Sequence, residues 1–394
     1  MVRAVPLASP ISRDEEVFRI VERFRGLYPE AEITEVARDE KRASELSRGM
    51  RVLGIAVTGG TESLMGAAAR ASRSFLAVYH GSLNSLPAVL EASAEYGFMF
   101  ADIEDRESIR SYIRASEIAD SMKSERVVLL GDPSPWLVYS GERQPAADLF
   151  GEIEKVSLSD LERAARSAEV GDVKGVMGLA QVSGPDEDDF RTSMRIEGAI
   201  RSMLESRGAR VFSIRCFDII GSLKGTACLA LSRLNDEGYV AACEGDLAAT
   251  ATMYVLSRAS GLPSFMGNVV SVKGNRILIA HCTSPTRILS EFRYMTHFES
   301  GIGVGIAGRM AGGTTVTYAR IDMRSRKVRA GTGRVVEQPF RDDICRTQVL
   351  IESHNDPSAI VRSSTGNHYA LTPGDHLRVM EMLAYVLGYS FERV

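Results

Sequence analysis

Glu244, Asp246, His281 and His368 are the residues of this 394-residue chain whose types suit chemistry at a single centre. A carboxylate with two imidazoles can hold a divalent cation, and the same groups can take up and return a proton. Glu244 and Asp246 close an apolar lead-in as Cys243-Glu244-Gly245-Asp246, and His281 ends a second apolar piece, 277–280. His368 lies in the turn-rich run Thr365-Gly366-Asn367-His368-Tyr369. Asp246 directly precedes a helical run that begins at Leu247, so a helix cap explains it as well as catalysis does. Glu244 sits outside the cap position. His297, His354 and His376 lack such neighbours and are expected to be structural. A Ser/His/Asp hydrolase is excluded by the lack of a GxSxG elbow. Cys243 and Cys282 flank Glu244 and His281, and packing beside the site is their expected role.

To meet, these side chains need strands that end on one edge, where open α/β sheets gather ligands. The chain supplies them. Residues 14–48 carry helical periodicity, and the apolar segment 51–57 is a strand followed by Thr58-Gly59-Gly60-Thr61-Glu62. Strand 74–79 runs into His80-Gly81-Ser82-Leu83-Asn84-Ser85 and a helix. Strand 126–130 runs into Gly131-Asp132-Pro133-Ser134-Pro135-Trp136. Polar turns at three successive strand ends favour an edge that faces a ligand or another subunit. The polar segment 140–147 marks a boundary, after which strands and helices alternate again up to the run 239–285. From about Ile288 short alternating pieces with glycine turns replace this pattern, and a last helix is expected over 375–387. The expected fold is two α/β units with doubly wound parallel sheets, residues 1–145 and 146–287, followed by a β-barrel-like unit, 288–394.

Composition narrows the function classes. Apolar residues make up 44% and charged residues 25%, ordinary for a soluble globular chain. A net charge of −4 supplies no field for nucleic acid or an anionic membrane. No stretch reaches a membrane span, and the N-terminus lacks an apolar signal core, so a cytoplasmic protein is expected. Five cysteines without CxxC spacing argue against a disulfide framework or a structural zinc site.

Over most of its length the chain resembles the L-fucose isomerase and L-arabinose isomerase superfamily. Thr58-Gly59-Gly60-Thr61-Glu62 and Asn84-Ser85-Leu86 look like its first domain, and Ala242-Cys243-Glu244-Gly245-Asp246 is similar to its acidic motif. Ala280-His281-Cys282 and Gly366-Asn367-His368-Tyr369 look like the segments carrying its metal histidines. The resemblance implies aldose–ketose isomerisation of a pentose or 6-deoxyhexose through an enediol. Mn²⁺ would be held by Glu244, His281 and His368, with Glu244 and Asp246 moving the proton. It also implies a homotrimer or homohexamer with sites between subunits. Arg13, Asn84, Asn268 and Asn367 are the expected substrate contacts, with Arg215 a further positional candidate. One departure stands out: Gly267-Asn268 occupy the place of the family's second acidic residue, and an amide cannot shuttle a proton. This departure motivates the alternative of a sugar-binding or regulatory descendant, or of different carbohydrate chemistry.

Overall fold

Four sheets carry the described residues, and the parallel sheet of the second unit and the barrel sheet bring the candidate site together. The computed structural model describes residues 2–141 and 144–394. Residues 142 and 143, at the boundary expected from the sequence, lie outside the described residues. The chain divides into two compact units. One runs to Asp120 and takes back Arg378–Gly388; the other comprises Ser121–Leu377 and Tyr389–Val394.

In the first unit β1 (Val2–Leu7), β2 (Glu32–Ile33), β3 (Arg51–Ala56), β4 (Ser74–Tyr79) and β5 (Met99–Asp102) form a parallel sheet in the order β2-β1-β3-β4-β5. Every residue of β3 is buried, as a parallel strand covered on both faces requires. The helical periodicity of 14–48 resolves into helices Asp14–Leu27 and Glu40–Ser47 with the short β2 between them. Tyr28-Pro29 explains the break, because proline disfavours helix for the residue before it. The polar turns are satisfied within this unit. Thr58 Oγ1 accepts the Ser9 N–H at 2.9 Å, the Gly59 N–H donates to the Leu83 carbonyl at 2.7 Å, and the His80 ring lies against the Val57 carbonyl and Ser82.

In the second unit β6 (Arg126–Leu130) and β7 (Glu152–Val156) precede the short β8 (Gln181–Ser183), which pairs elsewhere. They are joined by β9 (Val211–Ile214) and β10 (Val240–Cys243) in a parallel sheet ordered β10-β9-β6-β7. The small residues of the helix Leu247–Ser260 let it pack closely behind this sheet, and ten of its residues are buried.

Gly261 ends that helix in the left-handed conformation, φ 72°, and the chain turns antiparallel. β11 (Phe265–Lys273) and β12 (Arg276–His281) form a hairpin. β13 (Glu291–Met295) and β14 (Gly305–Arg309) make a three-stranded sheet with β8. The remaining strands are β15 (Thr315–Asp322), β16 (Lys327–Val336), β17 (Thr347–Ser353), β18 (His368–Pro373) and β19 (Ser390–Arg393). The order β15-β18-β11-β12-β17-β16, closed by β15–β16 pairing, is a six-stranded barrel, and β19 joins β16 as an outside parallel strand. The fold is therefore two parallel α/β sheets followed by a C-terminal closed β-barrel. The barrel includes the hairpin 265–281 as well as the strands after Ile288, and its core is apolar: Phe265, Ile277, Ile279, Val316, Val349 and Leu371. Among the described residues no helix is long and apolar enough to cross a membrane.

Candidate metal centre

β10 ends at Cys243, and the chain then makes a corner that few sequences could follow. Glu244 has φ 62° and Gly245 φ 70°, so both lie in the left-handed region. A Cβ on Gly245 would come within 2.7 Å of Pro133 Cα, so glycine is needed here on steric grounds as well. The Ser134 N–H donates to the Glu244 carbonyl at 2.9 Å, tying the corner to the turn after β6. Left-handed backbone at a bulky charged residue costs energy, of order 1–3 kcal/mol, and such strain collects where a side chain must be aimed. The corner aims the Glu244 carboxylate at the barrel.

Two barrel histidines meet it. His281, the last residue of β12, places Nε2 3.5 Å from Glu244 Oε1, and His368, the first of β18, places Nε2 3.5 Å from the same oxygen. The two ring centres are 5.7 Å apart. All three side chains are buried, and one donor atom from each lies within 4.8 Å of the others. His281 Nδ1 and Nε2 and His368 Nε2 have no hydrogen-bond partner. Buried polar atoms normally find partners, and a neutral imidazole offers one lone pair, so one unmatched nitrogen from each ring beside a carboxylate suits a cation. The donor set fits a divalent metal.

Asp246 is the helix cap and also contacts His368. Its Oδ1 accepts the Ala249 N–H at 2.9 Å, capping the helix at Leu247, while Oδ2 lies 3.0 Å from His368 Nδ1. With Nδ1–H donated to Asp246, Nε2 keeps its lone pair for a metal. Arg320, 1% exposed, donates to the Thr365 and His368 carbonyls at 2.6 Å and places Nη1 3.9 Å from Asp246. The burial of these ions is thereby compensated by a chain of opposite charges. Burial pulls the His368 imidazolium down, but the hydrogen bond to Asp246 and the negative carboxylates of Glu244 and Asp246 beside the ring outweigh it and push its pKa up to about 9. Burial raises Glu244 and Asp246, yet His281 and His368 for the former, and His368 and Arg320 for the latter, hold both carboxyls well below the usual range.

Trp136, the chain's single tryptophan, escaped the sequence reading, although it stands in a polar strand-end turn already of interest. Its indole N–H donates to Glu244 Oε2 at 2.5 Å, and its ring packs edge-on against Phe217 at 5.0 Å. Arg320 was also missed, since a buried arginine in a strand carries no local sequence signal.

The other expected contacts fall elsewhere. Asn268 and Asn367 engage each other, the Asn367 amide donating to Asn268 Oδ1 at 2.6 Å. A Cβ on Gly267 would come within 2.8 Å of Ile279 and 3.0 Å of the Ala280 carbonyl, leaving no room for an acid at that position. Arg215 pairs with Asp218 at 2.8 Å. Arg13 and Asn84 are exposed positions at helix N-termini of the first unit.

The geometry can be set beside known proteins. Residues 137–261 match the L-arabinose isomerase central domain, a span that includes Glu244 and Asp246 but neither histidine. The chain is 28% identical over 215 residues to a sulfoquinovose isomerase of Alkalicoccus urumqiensis, covering 50% of this chain and 48% of that protein. It is 23% identical over 314 residues to the sulfoquinovose isomerase of Clostridium sp. (strain MSTE9), covering 72% and 68%. To that of Priestia megaterium it is 21% identical over 305 residues, covering 71% and 67%. The match thus spans about half the length of the Alkalicoccus protein. At this low identity the likenesses support the arabinose/fucose isomerase-like sugar isomerase superfamily.

Proposed function

We propose that this protein is an aldose–ketose isomerase of a sugar, with Glu244, His281 and His368 holding a divalent cation. The observation that carries the reading is the convergence of the Glu244 carboxylate with one buried, unpartnered imidazole nitrogen from each of His281 and His368. A bound divalent cation, Mn²⁺ in our proposal, would orient substrate oxygens and stabilise the negative charge that develops on them. The proton handling is assigned to Glu244. Oε1 faces the histidines, while Oε2 accepts the Trp136 indole N–H and keeps a second lone pair with which to take a proton from one carbon and return it to its neighbour. Asp246 has both oxygens engaged and acts as a positioning residue for His368 rather than as a second base.

The substrate class proposed from the sequence, a pentose or 6-deoxyhexose, is joined by sulfoquinovose, the sugar named by the relatives. Asn268, Asn367, Arg13 and Asn84 remain proposed substrate contacts, the last two within an oligomer of three or six chains. The test is incubation of the Mn²⁺-loaded protein with these aldoses in deuterated water. Ketose formation with deuterium entering at C1 of the ketose supports the reading, and Glu244→Gln must abolish it. A second reading, sugar binding without isomerisation, is favoured by the lone carboxylate and by its bond to Trp136. Saturable sugar binding with no exchange at C2 would select that reading.

A further inference from the structure

A second cluster of donors lies outside the set just described. One donor atom from each of Cys282, Glu299 and Cys345 lies within 4.8 Å of the others. Three separate segments deliver them: the end of β12, the turn between β13 and β14, and the lead-in to β17. No CxxC spacing announces the group, because folding rather than sequence brings its members together.

The surroundings suit ligated thiolates. The Phe298 N–H donates to Cys282 Sγ at 3.4 Å, the kind of N–H···S bond that steadies a metal-bound sulfur. Arg346 Nε donates to the Thr296 carbonyl at 2.8 Å and its guanidinium lies 5.5 Å from the Phe298 ring centre, which fastens the 296–300 turn to the strand that follows Cys345. Glu299 is fixed from behind by His297, whose Nε2 lies 3.1 Å from its carboxylate. Two thiolates and a carboxylate leave one excess negative charge around a divalent ion. Cys282 is buried and Cys345 half-buried, while the Glu299 side chain is 46% exposed, giving an ion a way in.

We propose that Cys282, Glu299 and Cys345 form a second, thiolate-rich metal site for a zinc-class divalent cation, with water as the fourth ligand. Three protein donors plus water satisfy the tetrahedral preference of such ions, and thiolates discriminate against Mn²⁺ and Mg²⁺. Binding displaces the two thiol protons. The ion would cross-link the 296–300 turn and β17 to β12, the strand that presents His281, and so act on the shape of the first site without entering it.

The test is a Cd²⁺ titration of the reduced, metal-stripped full chain, read by thiolate-to-metal absorption, to which the Glu244 site cannot contribute. We expect a band that saturates at one Cd²⁺ per chain, persists under excess Mn²⁺ and in His368→Gln, and disappears in Cys345→Ser. Glu299→Gln, at an exposed position that leaves folding undisturbed, should keep the band with about tenfold weaker affinity. Cys216→Ser should leave it unchanged, since the Cys216–Cys243 pair, 2.9 Å apart, is a separate dithiol. No band, a band surviving Cys345→Ser, an unweakened Glu299→Gln, or loss of the band in Cys216→Ser overturns the proposal. So does Cys345 alkylating equally fast with and without Cd²⁺.

Discussion

At the scale of single residues, Glu244 carries the most weight, because the proposed function asks one carboxylate to serve both the metal and the proton. Glu244→Gln keeps the shape and removes the charge, and kcat is expected to fall by about 10²–10⁴-fold in steady-state assays. Asp246→Asn separates positioning from catalysis. Asparagine caps a helix about as well as aspartate, so the fold should hold, while weaker orientation of His368 is expected to cost about 10–100-fold in metal affinity by calorimetric titration. Protonation adds a signed dependence. In the metal-free protein the folded pKa of His368 is about 9 against an ordinary value of 6.5. Its stabilisation is therefore complete below about pH 6.5 and is lost as the pH rises through about 9. The depressed Glu244 and Asp246 contribute above the ordinary carboxylate range and lose their contribution as the pH falls below it. Denaturant melts of the stripped protein should show both flanks. Because the cation must displace the His368 proton, its affinity should rise by about tenfold per unit between pH 6 and 8.

At the scale of elements, the strand-end corner 243–246 and the barrel strands do the positioning. Gly245→Ala places a Cβ in the left-handed region and against Pro133, so a loss of order 1–3 kcal/mol is expected in equilibrium unfolding, with the Trp136 turn displaced. The sequence displays the strands and their polar ends because burial on both faces writes continuous apolar runs such as 51–56 and 126–130. It displays Glu244, His281 and His368 because each stands at a change of texture, from an apolar run or a glycine turn into a polar residue. What stays hidden depends on chain-distant pairing. Arg320 matters through carbonyls at 365 and 368, and Trp136 through an oxygen at 244, and no local period encodes either contact. The membership of the 265–281 hairpin in the barrel is hidden for the same reason: its strands read as strands, but their partners β17 and β18 lie about seventy to a hundred residues on.

At the scale of the whole molecule, metal binding should be coupled to folding of the second unit, since its sheet supplies Glu244 and its barrel supplies both histidines. A ligand that binds only the folded state at one hundred times its Kd stabilises it by about 2.7 kcal/mol. Mn²⁺ should therefore raise the unfolding temperature of the stripped protein, and a chelator should return it. The single tryptophan gives a built-in reporter, because its indole touches the Glu244 carboxylate. The most direct measurement of the central claim is an Mn²⁺ titration of the stripped protein, following free Mn²⁺ by electron paramagnetic resonance and Trp136 by fluorescence. The account predicts one tightly bound Mn²⁺ per chain, a fluorescence change saturating at the same stoichiometry, and loss of both in His368→Gln. Full Mn²⁺ binding by that variant, or none by the wild-type protein at millimolar Mn²⁺, would contradict it.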